Sequence, residues 1–126
     1  MPRFALLKHD WPFDHYDFML EVDGVLATWR LTPTPEPSPE YVAERLPNHR
    51  IEYLTYEGAV SGNRGTVTRE DGGAYTPALP TAGPTISSFC IDIYGQTINF
   101  EVSLRTMADG QQRLLLRPFP PSRGQQ

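Results

Sequence analysis

Short runs in which apolar and polar residues alternate, separated by glycine, proline and aspartate, follow one another along almost the whole of this 126-residue chain. In YDFMLEV every second residue from Tyr16 to Val22 is apolar, and Asp23-Gly24, a strong hairpin signal, separates this run from VLATWRL. Further runs of this kind are SFCIDIYG, QTINFEVSLRT and RLLLRPF. Because side chains alternate across a strand and turn signals recur about every eight to twelve residues, the chain is predicted to be mainly β, as an antiparallel sandwich or barrel.

Two Pro/Gly-rich segments interrupt the strand pattern and are predicted to be surface loops. They are TPTPEPSP at residues 32–39 and TPALPTAGPT at residues 76–85. After the first of them, PEYVAERL has Ser38 as a candidate N-cap and Pro39 at the first helical position. This pattern predicts one short helix over residues 39–46.

The remaining segments complete a single predicted domain over residues 1–119. RIEYLTYEG at residues 50–58 alternates and is predicted to be a strand, and Gly72-Gly73 is predicted to make a tight turn. Residues 120–126, PPSRGQQ, are predicted to form a frayed C-terminal tail.

Composition excludes several classes of protein. The formal net charge of -4 argues against a broad electrostatic nucleic-acid surface, although ten of the eleven basic residues are arginines, which suit a small phosphate pocket. The single cysteine, Cys90, excludes an internal disulfide and a thiolate zinc site, and its apolar neighbours predict a buried thiol. No apolar run is long enough to span a membrane and the N-terminus does not resemble a signal peptide, so we expect a cytoplasmic protein without membrane contact.

The segment HDWPFDHYD concentrates residues that can bind a metal. His15 and Asp17 lie two apart at the start of a predicted strand and therefore share a face, and a turn at Pro12 can bring His9 beside them. Two imidazoles and one carboxylate are a common ligand set for zinc, manganese or iron, and they leave coordination positions free for catalysis. The alternative is a solvated surface cluster of histidine and aspartate.

The third histidine adds a second candidate group. His49 and Tyr53 stand four residues apart near the start of the next alternating run, where they could deliver a proton donor and a hydroxyl to one pocket. A loop histidine and a core tyrosine are the structural alternatives for these two residues.

Two blocks of sequence resemble the 3′-phosphoesterase domain family of bacterial ligase D, the multifunctional enzyme of non-homologous end joining, of which this chain would be a divergent stand-alone member. In HDWPFDHYDFMLEVDGVLATW the matching residues are His9, His15, Tyr16, Asp17, Leu20, Glu21, Gly24 and Trp29. In HRIEYLTYEG they are His49, Tyr53, Tyr56, Glu57 and Gly58. GNRGTVTREDGGAY and the last two strands are also similar to the family, so the resemblance covers nearly the whole chain.

The resemblance implies a small antiparallel β-barrel with a short flanking helix and a divalent metal. The metal would be manganese first and zinc second, with His9, His15 and Asp17 as ligands. His49 and Tyr53 would be catalytic residues, with His49 either in contact with the phosphate or acting as general acid and Tyr53 beside it. The implied reaction removes a 3′-phosphate or a 3′-ribonucleotide from a DNA end. The implied partners are a nucleic-acid 3′ end and a ligase or polymerase that uses the repaired end.

Two departures from the family pattern concern the phosphate contacts. Met19 stands where the family has an arginine, and Thr32-Pro33-Thr34 stands where it has Pro-Lys-Gly. Arg30, Arg45 and Arg64 are the candidates to bind phosphate in their place. The departures keep two other interpretations open: a catalytically inactive module that binds DNA ends or a repair partner, and a barrel whose histidines are structural. Asp10 and Asp14 are interpreted as solvated loop residues.

Overall fold

The computed structural model describes residues 1–34 and 39–119, and the nine strands in these ranges belong to one antiparallel sheet. The strands are Arg3–His9 (β1), His15–Val22 (β2), Val25–Pro33 (β3), Glu40–Arg50 (β4), Gly58–Ala59 (β5), Thr66–Thr76 (β6), Phe89–Gly95 (β7), Asn99–Thr106 (β8) and Gln112–Pro118 (β9). Eight strands close into a barrel in the order β1-β2-β3-β4-β9-β8-β7-β6, because β6 pairs with β1 as well as with β7. Short β5 is added to β6 outside this ring. The prediction of a mainly β antiparallel barrel is confirmed.

The hairpin between β2 and β3 fixes the register on which the site depends. Asp23 and Gly24 both have positive φ angles, of 53° and 78°, as a two-residue turn that follows the twist of the strands requires. Val22 therefore pairs with Val25, and the same register places Asp17 opposite Arg30.

The barrel interior is filled by the inward residues of all the long strands. Its largest side chain, Trp29, is fully buried and donates its indole N–H to Gln112 Oε1 over 3.0 Å. The hydroxyl of buried Tyr75 donates to the carbonyl of Glu21 over 2.7 Å, so the polar atoms of these two aromatic side chains both have partners. Other members of this core are Phe4, Phe18, Leu20, Ile91, Ile93, Val102, Leu104 and Leu114.

A second apolar layer lies on the outer face of β1, β2 and β3. It consists of the residues that alternate with the barrel core: Ala5, Leu7, Met19, Leu26, Leu54 and Val67, with Ile51, Tyr53 and Val60 packed against them. A 3₁₀ helix at Ile51–Leu54 and the β5–β6 ladder cover this face. The barrel wall therefore has apolar packing on both sides, and the site lies on its outer side.

The prediction of a helix over residues 39–46 is wrong, because this segment is part of β4. Tyr41 and Ala43 point into the barrel core, and Glu40 forms ion pairs with Arg105 and Arg113 at 2.9 and 3.1 Å. Pairing with β3 and β9 therefore overrides the local helix signal. In the described residues helix is confined to Ile51–Leu54, within the segment that was predicted to be a strand.

Two further local predictions are corrected. Gly72-Gly73 makes no turn and lies inside β6; a Cβ atom at Gly73 would lie 2.0 Å from the carbonyl oxygen of Tyr94, so the glycine permits close approach of two strands. Cys90 is exposed, because Ile91 and Ile93 occupy the inward positions of β7.

The predicted loops and tail fall partly outside the described residues. Residues 35–38 of the first Pro-rich loop, with the candidate N-cap Ser38, and the predicted tail at residues 120–126 are outside them. In the second loop, Leu79 and Ala82 are buried in the barrel core, so this loop closes part of the barrel.

Candidate metal centre and phosphate pocket

His9, His15 and Asp17 converge at the open end of the β1–β2 pair. His9 is the last residue of β1 and pairs directly with His15, the first residue of β2, and Asp17 follows two positions later on the same face. His9 Nδ1 lies 3.4 Å from Asp17 Oδ2, and His15 Nε2 lies 3.1 Å from Asp17 Oδ1. Three ligand atoms, one from each residue, lie within 4.8 Å of one another.

Backbone carbonyls orient both imidazoles. His9 Nε2 lies 2.8 Å from the carbonyl oxygen of Arg64, and His15 Nδ1 lies 2.8 Å from that of Phe13. A carbonyl only accepts, so these nitrogens carry the protons, and the opposite nitrogen of each neutral ring presents a lone pair. The two lone pairs face the Asp17 carboxylate.

Two buried polar atoms of this cluster lack hydrogen-bond partners within the described part of the protein. Asp17 and His15 are each 3% exposed, and neither Asp17 Oδ1 nor His15 Nε2 has a hydrogen-bond partner among the described residues. Acceptors that face one another in a buried site are unfavourable unless a cation lies between them. Ring nitrogens held by carbonyls on the far side are the usual support of metal-bound histidines. The donor set therefore fits a divalent metal, and it is the only such group of three found in the described part of the chain.

A pocket of about 410 Å³ opens above these residues. It brings together seven of the eight residues predicted for the site: His9, His15, Asp17, Arg30, His49, Tyr53 and Arg64. His49 follows an irregularity in the β3–β4 ladder, and Tyr53 follows it in the 3₁₀ helix; their ring centroids are 5.7 Å apart. His49 Nδ1 lies 2.9 Å from the carbonyl oxygen of Pro47, so Nε2 is the nitrogen free of this bond.

Arg30 reaches the pocket from β3, directly across the ladder from Asp17. Its guanidinium lies 5.4 Å from the centroid of the Phe13 ring and 3.7 Å from Glu44. Buried Arg30 Nε has no hydrogen-bond partner among the described residues, so the side chain retains capacity to donate to a ligand.

A family model described as the DNA ligase D 3′-phosphoesterase domain matches residues 7–116. The chain belongs to this family.

Two relatives are full-length ligase D proteins. The multifunctional non-homologous end joining protein LigD of Pseudomonas aeruginosa is 35% identical over 80 residues, which cover 60% of this chain and 10% of that protein. The multifunctional non-homologous end joining DNA repair protein LigD of Mycobacterium tuberculosis is 30% identical over 112 residues, which cover 84% of this chain and 15% of that protein. The chain thus spans a small fraction of the length of these relatives. In the described ranges no helix has the length and hydropathy of a membrane span.

The position at which the ligase D phosphoesterase pattern has an arginine belongs to an apolar cluster that shares Leu7 and Val67 with the pocket lining. Met19 is fully buried there, in the second apolar layer, opposite Thr28. The methionine therefore contributes packing and no charge at this position, and Arg30 on the neighbouring strand, opposite Asp17, is an arginine of the same outward face that does line the pocket.

Arg45 lies outside the pocket. Its guanidinium covers the Trp29 ring at 4.9 Å and donates to Asn48 Oδ1 at 2.7 Å and to the carbonyl of Ala82 at 2.9 Å. Burial lowers the pKa of this arginine. Its N–H groups thus connect β4 to the second Pro/Gly-rich loop. Arg45 is therefore not among the proposed phosphate contacts.

Several residues in or next to the site were missed by sequence reasoning, among them Trp11, Arg50 and Asp10. Arg50 lines the pocket with its side chain 80% exposed, and its position next to His49 was the signal that could have identified it. Asp10 is more than a solvated loop residue, because its Oδ1 accepts from the backbone N–H of Thr66 over 2.6 Å and so holds the β1–β2 loop against β6. Nothing in the local sequence indicated that long-range bond.

Proposed function

We propose that this protein is a metal-dependent phosphoesterase that removes a 3′-phosphate or a 3′-ribonucleotide from DNA ends. Membership of the ligase D phosphoesterase family supports a role in DNA end processing and a hydrolase activity. The observation that carries the proposal is the convergence of two imidazole lone pairs and a buried carboxylate at the floor of an arginine-lined pocket.

The proposed metal ligands are His9 Nδ1, His15 Nε2 and the carboxylate of Asp17. Imidazole and carboxylate together suit manganese, and zinc is the second choice. A divalent metal bound there supplies Lewis acidity, which polarises a phosphoryl oxygen and lowers the pKa of water.

The arginines of the pocket are proposed to hold the phosphoryl group. Arg30 and Arg64 line the pocket together with Arg50, and guanidinium groups bind phosphoryl oxygens in planar, bidentate contacts. The Arg64 side chain is itself held by its Nε–H, which donates to the carbonyl of Ser61 over 2.7 Å. These contacts orient the phosphorus for attack and offset the charge that develops on the oxygens.

His49 is proposed to move the proton to the leaving oxygen. In its neutral form the bond from Nδ1 to the Pro47 carbonyl leaves Nε2 as an acceptor, whereas the protonated ring keeps that bond and presents Nε2–H to the pocket. The protonated form is the one that can serve as general acid toward a departing alkoxide. Tyr53, edge-on to this ring, is proposed to position it and to offer a hydroxyl to the substrate.

We expect the wild-type protein with manganese to release inorganic phosphate from an oligonucleotide that carries a 3′-phosphate. A chelator should stop the release, and added manganese should restore it. Absence of release above an Asp17→Ala control would refute the enzymatic proposal for this substrate.

We expect Arg30→Gln to lower kcat/KM by about 100-fold, because loss of one preorganised donor to a transferring phosphoryl group costs about that much. Steady-state kinetics on the same oligonucleotide measure the effect. Arg117→Gln is the matched control, since Arg117 lies on β9 outside the pocket and pairs with Glu101. Equal activity of both variants would show that Arg30 does not contact the phosphoryl group.

One observation favours a second candidate function, a module that binds DNA ends without turnover. Position 19 holds a fully buried methionine, so it supplies no arginine of the family pattern to the pocket. End binding that persists in chelator, without release of phosphate, would favour this candidate over the enzyme.

The companion of either activity is proposed to be a ligase or polymerase that uses the processed 3′ end. The relatives are named as multifunctional end-joining proteins, and this chain matches only a small part of each. The measurement is to purify this protein from its source cell and to ask whether such an enzyme co-purifies with it.

A further inference from the structure

Three of the six large exposed apolar side chains in the described residues lie at the pocket or next to it. The six residues are Met1, Trp11, Phe13, Tyr56, Tyr94 and Met107. Trp11 lines the pocket itself, Phe13 contacts His15, and Tyr56 lines an adjoining cleft that shares Arg50 and Tyr53 with it. Of these three aromatic side chains, Trp11 is the one that lines the pocket directly.

The loop that carries Trp11 is held rigidly although its indole is 43% exposed. Asp10 accepts the backbone N–H of Thr66, and Gly65 packs so closely that a Cβ there would lie 2.6 Å from Trp11 Cβ. Gly65 has a φ of +77°, which also favours glycine. The protein therefore fixes the backbone at Trp11 while leaving the ring open to solvent.

Phe13 differs from Trp11 in that its ring already has protein partners. Arg30 covers one face at 5.4 Å, and the ring meets His15 edge-on at a centroid distance of 5.4 Å. Phe13 is thus a positioning residue for an arginine and a histidine of the site. Trp11 is the aromatic side chain in the same loop that offers an uncovered surface at the pocket.

We propose that the indole of Trp11 stacks on the nucleobase of the 3′-terminal nucleotide whose phosphate enters the pocket. This inference rests on the proposed function and identifies how the substrate is held. Stacking on an aromatic side chain tolerates every base, since each has a π-face, and it contributes about 10- to 100-fold in affinity per base. It also gives a chain with a net charge of -4 a means of binding DNA ends that does not depend on a broad basic surface.

Tryptophan fluorescence in chelator tests the stacking without turnover. Trp29, the other tryptophan, is fully buried, so quenching by an added oligonucleotide reports Trp11. The probes are two oligonucleotides with a 3′-phosphate that differ only in whether the terminal nucleotide has a base or is abasic. We expect the wild type to bind the abasic oligonucleotide about 10- to 100-fold more weakly.

Three variants test whether the preference for a terminal base depends on Trp11. Fluorescence anisotropy of a labelled oligonucleotide measures the affinity of each variant. Trp11→Ala should bind both oligonucleotides with the weak affinity of the wild type for the abasic one, and Trp11→Phe should retain most of the preference for the base. Tyr94→Ala removes an aromatic side chain of similar exposure that lies outside the pocket, and it should behave as the wild type. Single-stranded and blunt duplex versions of the probes distinguish an unpaired terminal base from the outer face of a terminal base pair.

The outcomes separate this inference from the proposed catalysis. A base preference that disappears in Trp11→Ala supports the inference even if no phosphate is ever released. Phosphate release together with equal affinity of the wild type for both oligonucleotides, or an unchanged preference in Trp11→Ala, overturns the inference and leaves the phosphoesterase proposal intact.

Discussion

Asp17→Asn will lower the affinity for manganese by about 100-fold or more and will raise the stability of the metal-free protein by about 1 kcal/mol. The two effects have opposite signs because, in the proposed metal centre, the carboxylate serves a ligand and not the fold. In the metal-free protein Asp17 Oδ1 is buried without a hydrogen-bond partner, 3.1 Å from the ring nitrogen of His15 that presents a lone pair. An amide at this position loses the charge and can donate to that nitrogen.

Isothermal titration with manganese and urea unfolding in chelator measure these two effects. Asp14→Asn is the matched control, because Asp14 is an exposed aspartate in the loop between the two histidines, and it should change neither quantity. If the Asp17 variant is instead less stable in chelator and binds manganese as the wild type does, the cluster is a structural network of ion pairs.

Asp71→Asn will destabilise the fold by about 3 kcal/mol, because this carboxylate organises the β7–β8 turn. Asp71 is 5% exposed. Its Oδ1 accepts from the backbone N–H groups of Gly72 and Gln96 at 2.8 and 2.9 Å, and Oδ2 accepts from those of Thr97 and Ile98 at 3.1 and 2.8 Å. The Thr97 hydroxyl also donates to Oδ2, over 3.1 Å. An asparagine at position 71 would direct its NH₂ group at some of these backbone N–H groups, which would then have no acceptor.

The destabilisation should depend on pH. Burial alone would raise the pKa of Asp71, but the backbone N–H donors outweigh it and lower the pKa below its ordinary value of 3.8. A carboxyl whose pKa is lower in the folded state contributes its full stability above the unfolded pKa and loses it as the pH falls through the folded pKa. The difference between wild type and Asp71→Asn should therefore be constant from pH 7 to about pH 5 and shrink below about pH 4.

Urea unfolding across this pH range measures the difference. Asp109→Asn is the control, since exposed Asp109 accepts one N–H, that of Gln111, in the neighbouring β8–β9 turn. We expect it to cost less than about 0.5 kcal/mol. An Asp71 variant that is as stable as this control would contradict the assigned role.

The strands and the candidate ligand set could be predicted from the sequence because both depend on local spacing. Alternation placed His15 and Asp17 on one face, and the turn at Pro12 was sufficient to bring His9 back. His49 and Tyr53 were expected to be neighbours on a strand, whereas a 3₁₀ turn brings them together.

Features that depend on contacts far apart in sequence could not be predicted in this way. The helix signal at Pro39 is local, but Glu40 meets Arg113 and Arg105 from β9 and β8, which the sequence does not pair. Asp71 and Asp10 looked like ordinary polar residues, although each holds a backbone segment at least 25 residues away. Arg45 and Arg30 looked equivalent, and only the strand register assigns them to different faces of the sheet.

The alternation along β2 places the barrel core on one face of the strand and the candidate metal ligands on the other. Phe18 and Leu20 belong to the barrel core, while Asp17 lines the pocket and Met19 packs in the second apolar layer, whose Leu7 and Val67 also line the pocket. A substitution of an outward residue that lines the pocket, such as Asp17, can alter charge or shape at the pocket without opening a cavity in the barrel core. Position 19 is different, because its side chain is fully buried in the second apolar layer: a substitution there changes the packing of the barrel's outer face together with the chemistry available beside the pocket.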